Sequence, residues 1–116
     1  MSAPGSSGTR WVVGIDLGTT HTAVARASLD ADGARPENVA VTQLVSAGQV
    51  DARPLLPSCL YLPIASEGPQ RLPWDAERTY AVGEYARSRG ADAAARVVAS
   101  AKSWLIHPSV DRRSGI

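Results

Sequence analysis

The spacing of apolar positions predicts a series of short strands followed by one helix. Residues 11–15 (Trp-Val-Val-Gly-Ile) form an apolar, β-branched run suited to a strand buried on both faces. Residues 22–27 are a second run of small and β-branched residues. A turn-forming stretch with Asp30, Asp32, Gly33 and Pro36 leads out of it. From Asn38 or Val39 onward, Val39, Val41, Gln43 and Val45 alternate with Ala40, Thr42, Leu44 and Ser46, which predicts a third strand able to pair with the first two. Ala47, Gly48 and Gln49 then punctuate the chain. Residues 59–62 (Cys-Leu-Tyr-Leu) suit a short strand, its start fixed by Pro57 and its end by Pro63. Residues 64–78 carry Gly68, Pro69, Pro73 and Trp74 and predict a long surface loop on which Trp74 covers an apolar patch or, as the alternative, anchors a partner; residues 79–82 predict a brief strand before Gly83. Finally, Ala94, Val97, Val98, Ala101, Trp104 and Leu105 recur at steps of three and four. That is the buried stripe of a helix over 93–105, with Asp92 as its cap and Pro108 as its stop.

The turn between the first two strands carries candidate chemistry. Gly18 allows a tight turn and close approach of a ligand, while Thr19, Thr20 and His21 offer amide donors and, for the threonines, hydroxyls to phosphate oxygens. Asp16, at the end of the first strand, is placed to face a metal ion or its water shell, because a carboxylate so near phosphate is repulsive unless Mg²⁺ lies between them. The same residues also make an acceptable plain hairpin. Lys102 falls at the border of the helical stripe, where a lysine can lay its stem on apolar surface and send its ammonium elsewhere; read alone, it is a solvated surface lysine.

Composition narrows the function classes. Twelve basic and eleven acidic residues give a net charge of +1, which leaves no electrostatic footprint for nucleic acid or a membrane surface. No stretch reaches the roughly 20 apolar residues that span a bilayer. The single cysteine, Cys59, lies in an apolar run and reads as a small core residue, which fits a reducing cytoplasm. Residues 1–9 are rich in Ser, Gly, Ala and Pro, lack the apolar core of a signal peptide, and read as a flexible tail before one domain over 10–116. His107, with no visible metal partner, reads as a loop residue.

Gly14-Ile15-Asp16-Leu17-Gly18-Thr19-Thr20 resembles the first phosphate loop of the actin-like ATPase superfamily, which includes DnaK-type chaperones, actin-like filament proteins and sugar kinases. Arg53, the run Leu56-Pro57-Ser58-Cys59-Leu60-Tyr61, then Ala81-Val82-Gly83-Glu84-Tyr85-Ala86 and Ala101-Lys102-Ser103-Trp104-Leu105-Ile106 follow it in order. Together these segments, over about residues 11–107, are similar to the opening of the ATPase domain of seventy-kilodalton DnaK-type heat-shock chaperones, in a divergent bacterial branch. His21 stands where that family more often has Asn or Tyr, and Trp104-Leu105-Ile106-His107-Pro108 replaces its Arg-Leu-Ile-Gly.

The resemblance implies an α/β fold: part of an actin-like (ribonuclease H-like) lobe, with a mixed β-sheet, a β-hairpin phosphate loop and a helix near the C-terminus. It implies that Asp16 holds the water shell of Mg²⁺, that Gly18, Thr19, Thr20 and His21 contact the phosphates of ATP or ADP, and that Lys102 reaches the γ-phosphate and the attacking water. It further implies an ATP-hydrolysing chaperone whose partners are unfolded polypeptides and co-chaperones. A sugar or small-molecule kinase and an actin-like filament ATPase are the alternatives. The second phosphate loop, the adenosine pocket and a peptide-binding domain have no counterpart here, so the chain is expected to be the N-terminal part of a longer protein, inactive and marginally stable by itself.

Overall fold

The computed structural model describes residues 8, 10–104 and 108–109. Small and β-branched residues on either side of a tight turn build its principal ladder. Strand β1 (Trp11–Leu17) runs antiparallel to β2 (His21–Ser28), from Trp11 opposite Ser28 to Leu17 opposite Thr22. On the other edge of β2, β3 (Glu37–Val39) pairs with Val24, Ala25 and Arg26. Strands β4 (Val41–Ser46) and β5 (Gln49–Arg53) form a separate hairpin turned at Gly48. Strand β6 (Leu56–Pro57) returns to β2 opposite Thr22 and His21.

A third sheet has β7 (Cys59–Tyr61) at its centre, between β8 (Ala81–Val82) and β9 (Val97–Ala99). The helices are short: α1 (Glu84–Arg89) follows β8, and α2 (Ala101–Trp104) follows β9. The protein is thus mixed α/β, mostly strands in small sheets. Every strand pairing among the described residues is antiparallel, so the expected mixed sheet is replaced by three antiparallel ones.

The core lies where α1 meets β4 and the third sheet. Leu44, Tyr61, Ala81 and Ala86 are buried there, with Cys59, Leu72, Tyr85, Ala93 and Val97 packed around them. Gln43 is buried too, 2% exposed, and it is satisfied on both sides: its Nε2 donates to the carbonyls of Leu55 (3.0 Å) and Val41 (3.2 Å), and its Oε1 accepts the Glu84 N–H at 2.9 Å. One side chain thereby ties β4, the segment before β6 and the start of α1 together, and the desolvation of its amide is met by three partners. Cys59 is half-buried against this core, and burial pushes its thiol up, which agrees with a small packing residue.

Four expectations are corrected. Strand β1 is exposed along its whole length, with Ile15 and Leu17 each 63% exposed, because among the described strands it pairs with β2 alone and no sheet packs across its faces. The single strand expected from Val39 to Ser46 is two, β3 and β4, separated at Ala40 and paired in different sheets, and β5 lies in the stretch read as punctuation. The brief strand expected over 79–82 starts only at Ala81. The helix expected over 93–105 is a 3-10 turn at Ala94–Arg96, then β9, then α2, and Asp92 caps nothing. Val97 and Val98 are β-branched, and β7 offers a free edge that they fill in register, Leu60 opposite Val98 and Tyr61 opposite Val97; satisfying buried backbone groups outweighs local helical spacing. The tail over 1–9 apart from Gly8, residues 105–107 with His107, and the end of the chain lie outside the described residues.

The expected 64–78 loop is pinned rather than free. A 3-10 turn at Ala65–Glu67 brings the Glu67 carboxylate to the Tyr61 hydroxyl, which donates at 2.6 Å, and to the Ile64 N–H at 2.8 Å. The Arg89 guanidinium lies 5.2 Å from the centre of the Tyr61 ring and donates to its oxygen at 3.3 Å. The Tyr61 bond and then the Ile64 bond hold the Glu67 carboxyl below its ordinary 4.5. A depressed folded value means that this stabilisation is present above the unfolded value and is lost as pH falls through the folded one. Melting followed by circular dichroism is therefore expected to weaken on acidification below about pH 4.5, and Glu67→Gln to flatten that limb. An acid limb of equal depth in the variant would remove Glu67 from it.

Candidate functional site

The site is built from the turn upward. In the segment Gly18-Thr19-Thr20-His21, the Gly18 N–H donates to the His21 carbonyl at 2.9 Å, closing the hairpin. A Cβ on Gly18 would overlap that carbonyl oxygen, so the closeness of the two backbones is what requires glycine here. Because Gly18 and His21 form the bonded pair, the Leu17 carbonyl in the next pair points outward from the hairpin. Lys102 meets it: its ammonium donates to the Leu17 oxygen at 2.8 Å, across 85 residues of sequence. The lysine that reads alone as a solvated surface residue is still exposed, but its charge is at the root of the turn.

Ser58 fixes the turn from the other side. Its hydroxyl donates to the Gly18 carbonyl at 2.9 Å, and its N–H donates to the Thr20 carbonyl at 2.8 Å. With both carbonyls drawn toward Ser58, the N–H groups on the same peptide planes, those of Thr19 and His21, are directed away from it, since carbonyl and N–H are opposed in a trans peptide. The N–H groups of Thr19 and Thr20 have no acceptor among the described residues. Both threonines are exposed, so the turn presents unused donors to solvent.

Asp16 is on the opposite face of β1 from Leu17 and shares that face with its cross-strand partner Ala23 and with the Gly14–Ala25 pair. These small residues, with Asn38, leave a shallow hollow of about 290 Å³ beside the carboxylate. Asp16 has no hydrogen-bond or ion-pair partner among the described residues and forms no ion pair with Lys102. His21 lies toward α1, with Arg87 Nη1 3.4 Å from its Nε2. A guanidinium only donates, so this contact uses the Nε2 lone pair. Arg87 is held by Glu84 through two bonds of 2.8 and 2.9 Å.

The structure therefore brings Gly18, Thr19, Thr20, His21 and Lys102 to one corner and leaves Asp16 beside it on the other face. Among the described residues no three His, Cys, Asp or Glu side chains gather to hold an ion by themselves. A divalent cation at Asp16 would complete its shell with water and with oxygens of a phosphate ligand, the habit of Mg²⁺. The unused amides, the nearby ammonium and an unpartnered carboxylate fit such a ligand. On the Leu17 face, Leu17, Thr22, Leu56, Cys59, Val82 and Val98 line a mostly apolar groove of about 510 Å³. Sequence reasoning placed Ser58 only as the start of a strand and did not find Arg87; Ser58 had a signal in the Pro57-Ser58 pair, Arg87 had none. Among the described residues no helix is long and apolar enough to cross a membrane. No protein-family model, curated protein or solved structure matches the chain.

Proposed function

We propose that this chain carries the first phosphate-binding corner of an actin-like ATPase of the DnaK chaperone type, working on Mg-ATP in the cytoplasm. The observation that carries the reading is the Lys102 ammonium at 2.8 Å from the Leu17 carbonyl, at the root of the Gly18–His21 turn. An isolated hairpin has no use for a lysine drawn in from the far end of the chain, whereas a phosphate site does. In this reading the amides of Thr19, Thr20 and His21 bind phosphate oxygens, Asp16 orients the water shell of Mg²⁺, and Lys102 supplies positive charge where charge develops on phosphoryl transfer. Such transfer depends on positioning and electrostatic stabilisation more than on covalent help. Coupling to unfolded polypeptide and co-chaperones belongs to the whole protein of that type.

Titration of the ¹⁵N-labelled chain with Mg-ATP tests the reading. Shifts are expected at Gly18, Thr19, Thr20 and His21, saturating at roughly millimolar ligand, with Lys102→Ala about tenfold weaker. ATP turnover by the chain alone is expected to be absent. If Mg-ATP leaves the turn amides unmoved, the phosphate-site reading fails.

A further inference from the structure

We infer that Ser58 is the positioning residue of this site, setting the direction of the turn's amides and the place of Lys102 at once. This rests on the phosphate-site reading above. The basis is a closed circuit of hydrogen bonds. Ser58 Oγ donates to the Gly18 carbonyl at 2.9 Å, Ser58 N–H donates to the Thr20 carbonyl at 2.8 Å, and the Ser58 carbonyl accepts the Ser100 N–H at 3.1 Å. Ser100 in turn accepts the Ser103 N–H at 3.0 Å, which opens α2, and Lys102 on that helix donates back to Leu17 at 2.8 Å. Every backbone polar group of Ser58 and its side chain is spent on this circuit.

Ser100 adds a second, independent observation. It is the one non-glycine residue among the described ones with a positive φ, 54°. A side-chain-bearing residue stays in that region only where its surroundings over-determine it, and such strain gathers at functional corners. The left-handed step at Ser100 ends β9 and starts α2, and it is anchored by the Ser58 carbonyl. Without the step, the chain after Ala99 would not turn Lys102 back toward the hairpin.

The hydroxyl does separate work from the backbone. The Ser58 N–H and carbonyl would survive replacement by any residue except proline, but the bond to the Gly18 carbonyl would not. Losing it frees the Gly18–Thr19 peptide plane to rotate, and with it the Thr19 N–H. Ser58→Ala should therefore disorder the amide array and leave the sheets in place, while Ser58→Thr keeps a hydroxyl and rescues it.

Amide hydrogen exchange and binding of magnesium tripolyphosphate, followed together on the 116-residue chain and its variants, decide the matter. Ser58→Ala is expected to speed exchange at Gly18, Ser58 and Ser100 while the β4–β5 hairpin keeps its rates, and to weaken tripolyphosphate binding about five- to tenfold, the scale of one lost hydrogen bond. Ser58→Thr is expected to restore both. Unchanged exchange at Gly18 and Ser100, or faster exchange spread evenly over all sheets, overturns the inference. If the unsubstituted chain binds no tripolyphosphate, the phosphate-site reading fails, and the exchange pattern still decides whether Ser58 controls the turn. Should Ser58→Ala not fold, the unsubstituted chain serves: tripolyphosphate is expected to slow exchange at Ser58 and Ser100 in step, and slowing confined to the turn overturns the inference.

Discussion

Replacing Gly83 by alanine is expected to cost about 3–5 kcal/mol, the combined scale of a backbone forced out of its allowed region and an overpacked core. Gly83 has φ 103° and ψ −139°, a conformation that side-chain-bearing residues avoid. A Cβ there would stand 2.5 Å from Gln43 Oε1 and 2.6 Å from Leu56 Cδ1. The Gln43 amide cannot yield cheaply. Gln43 is buried and bonded to Val41, Leu55 and the Glu84 N–H, so moving its Oε1 strands the first amide of α1. The Gly83 N–H also donates to the Cys59 carbonyl at 3.1 Å, which joins the start of α1 to β7. Among the described residues the buried apolar side chains are few, Leu44, Pro57, Tyr61, Ala81 and Ala86, so the core has little reserve. Thermal melting by circular dichroism should show a fall in Tm of about 10–20 °C or loss of the cooperative transition. A Gly83→Ala curve that superposes on the parent's would mean the helix start moves freely, and the steric account of this corner would be wrong.

The second large effect is at the site. Gly18→Ala is expected to abolish phosphate-dependent shifts at Thr19, Thr20 and His21, because the new methyl overlaps the His21 carbonyl oxygen and the hairpin must open to admit it. The obstacle is backbone, and it is the very oxygen that accepts the Gly18 N–H, so relief of the clash breaks the closing bond. Gly14 provides the control. A Cβ there meets nothing within 4 Å, and Gly14→Ala is expected to stay within about 0.5 kcal/mol and to bind as before. Equal losses of binding in both variants would trace the effect to general weakening of β1 instead of to the turn.

Legibility followed the reach of the interactions. The hairpin of β1 and β2 was readable because its strands are runs of small and β-branched residues and its turn has the glycine that the close approach to His21 demands. Cys59–Tyr61 was readable because Pro57 and Pro63 bracket it. The region after Asp92 was misread because its alanines and its three-and-four spacing look helical at short range, while the pairing that makes β9 lies with Cys59, Leu60 and Tyr61, far back in the chain. The long run from Val39 to Ser46 failed for a related reason: Gln43 and its neighbour Leu44 are both buried, so alternation gave no guide to which face mattered or where the strand broke. Of the candidate site, the turn residues, Asp16 and Lys102 were visible as residue types. The bonds of Ser58 and the approach of Arg87 to His21 were not, since each joins segments more than thirty residues apart.

By itself, the sequence determined the first hairpin, its tight turn and the bracketed strand at Cys59, all of which rest on local conformational preference and nearest-neighbour chemistry. The tertiary structure alone decided that Val97–Ala99 is a strand, that β1 is open to solvent, and that Lys102 comes back to Leu17. Those outcomes depend on which distant backbone edge is free to be paired and on a left-handed step at Ser100 held by the Ser58 carbonyl, and neither is written in the residues within reach of a local pattern.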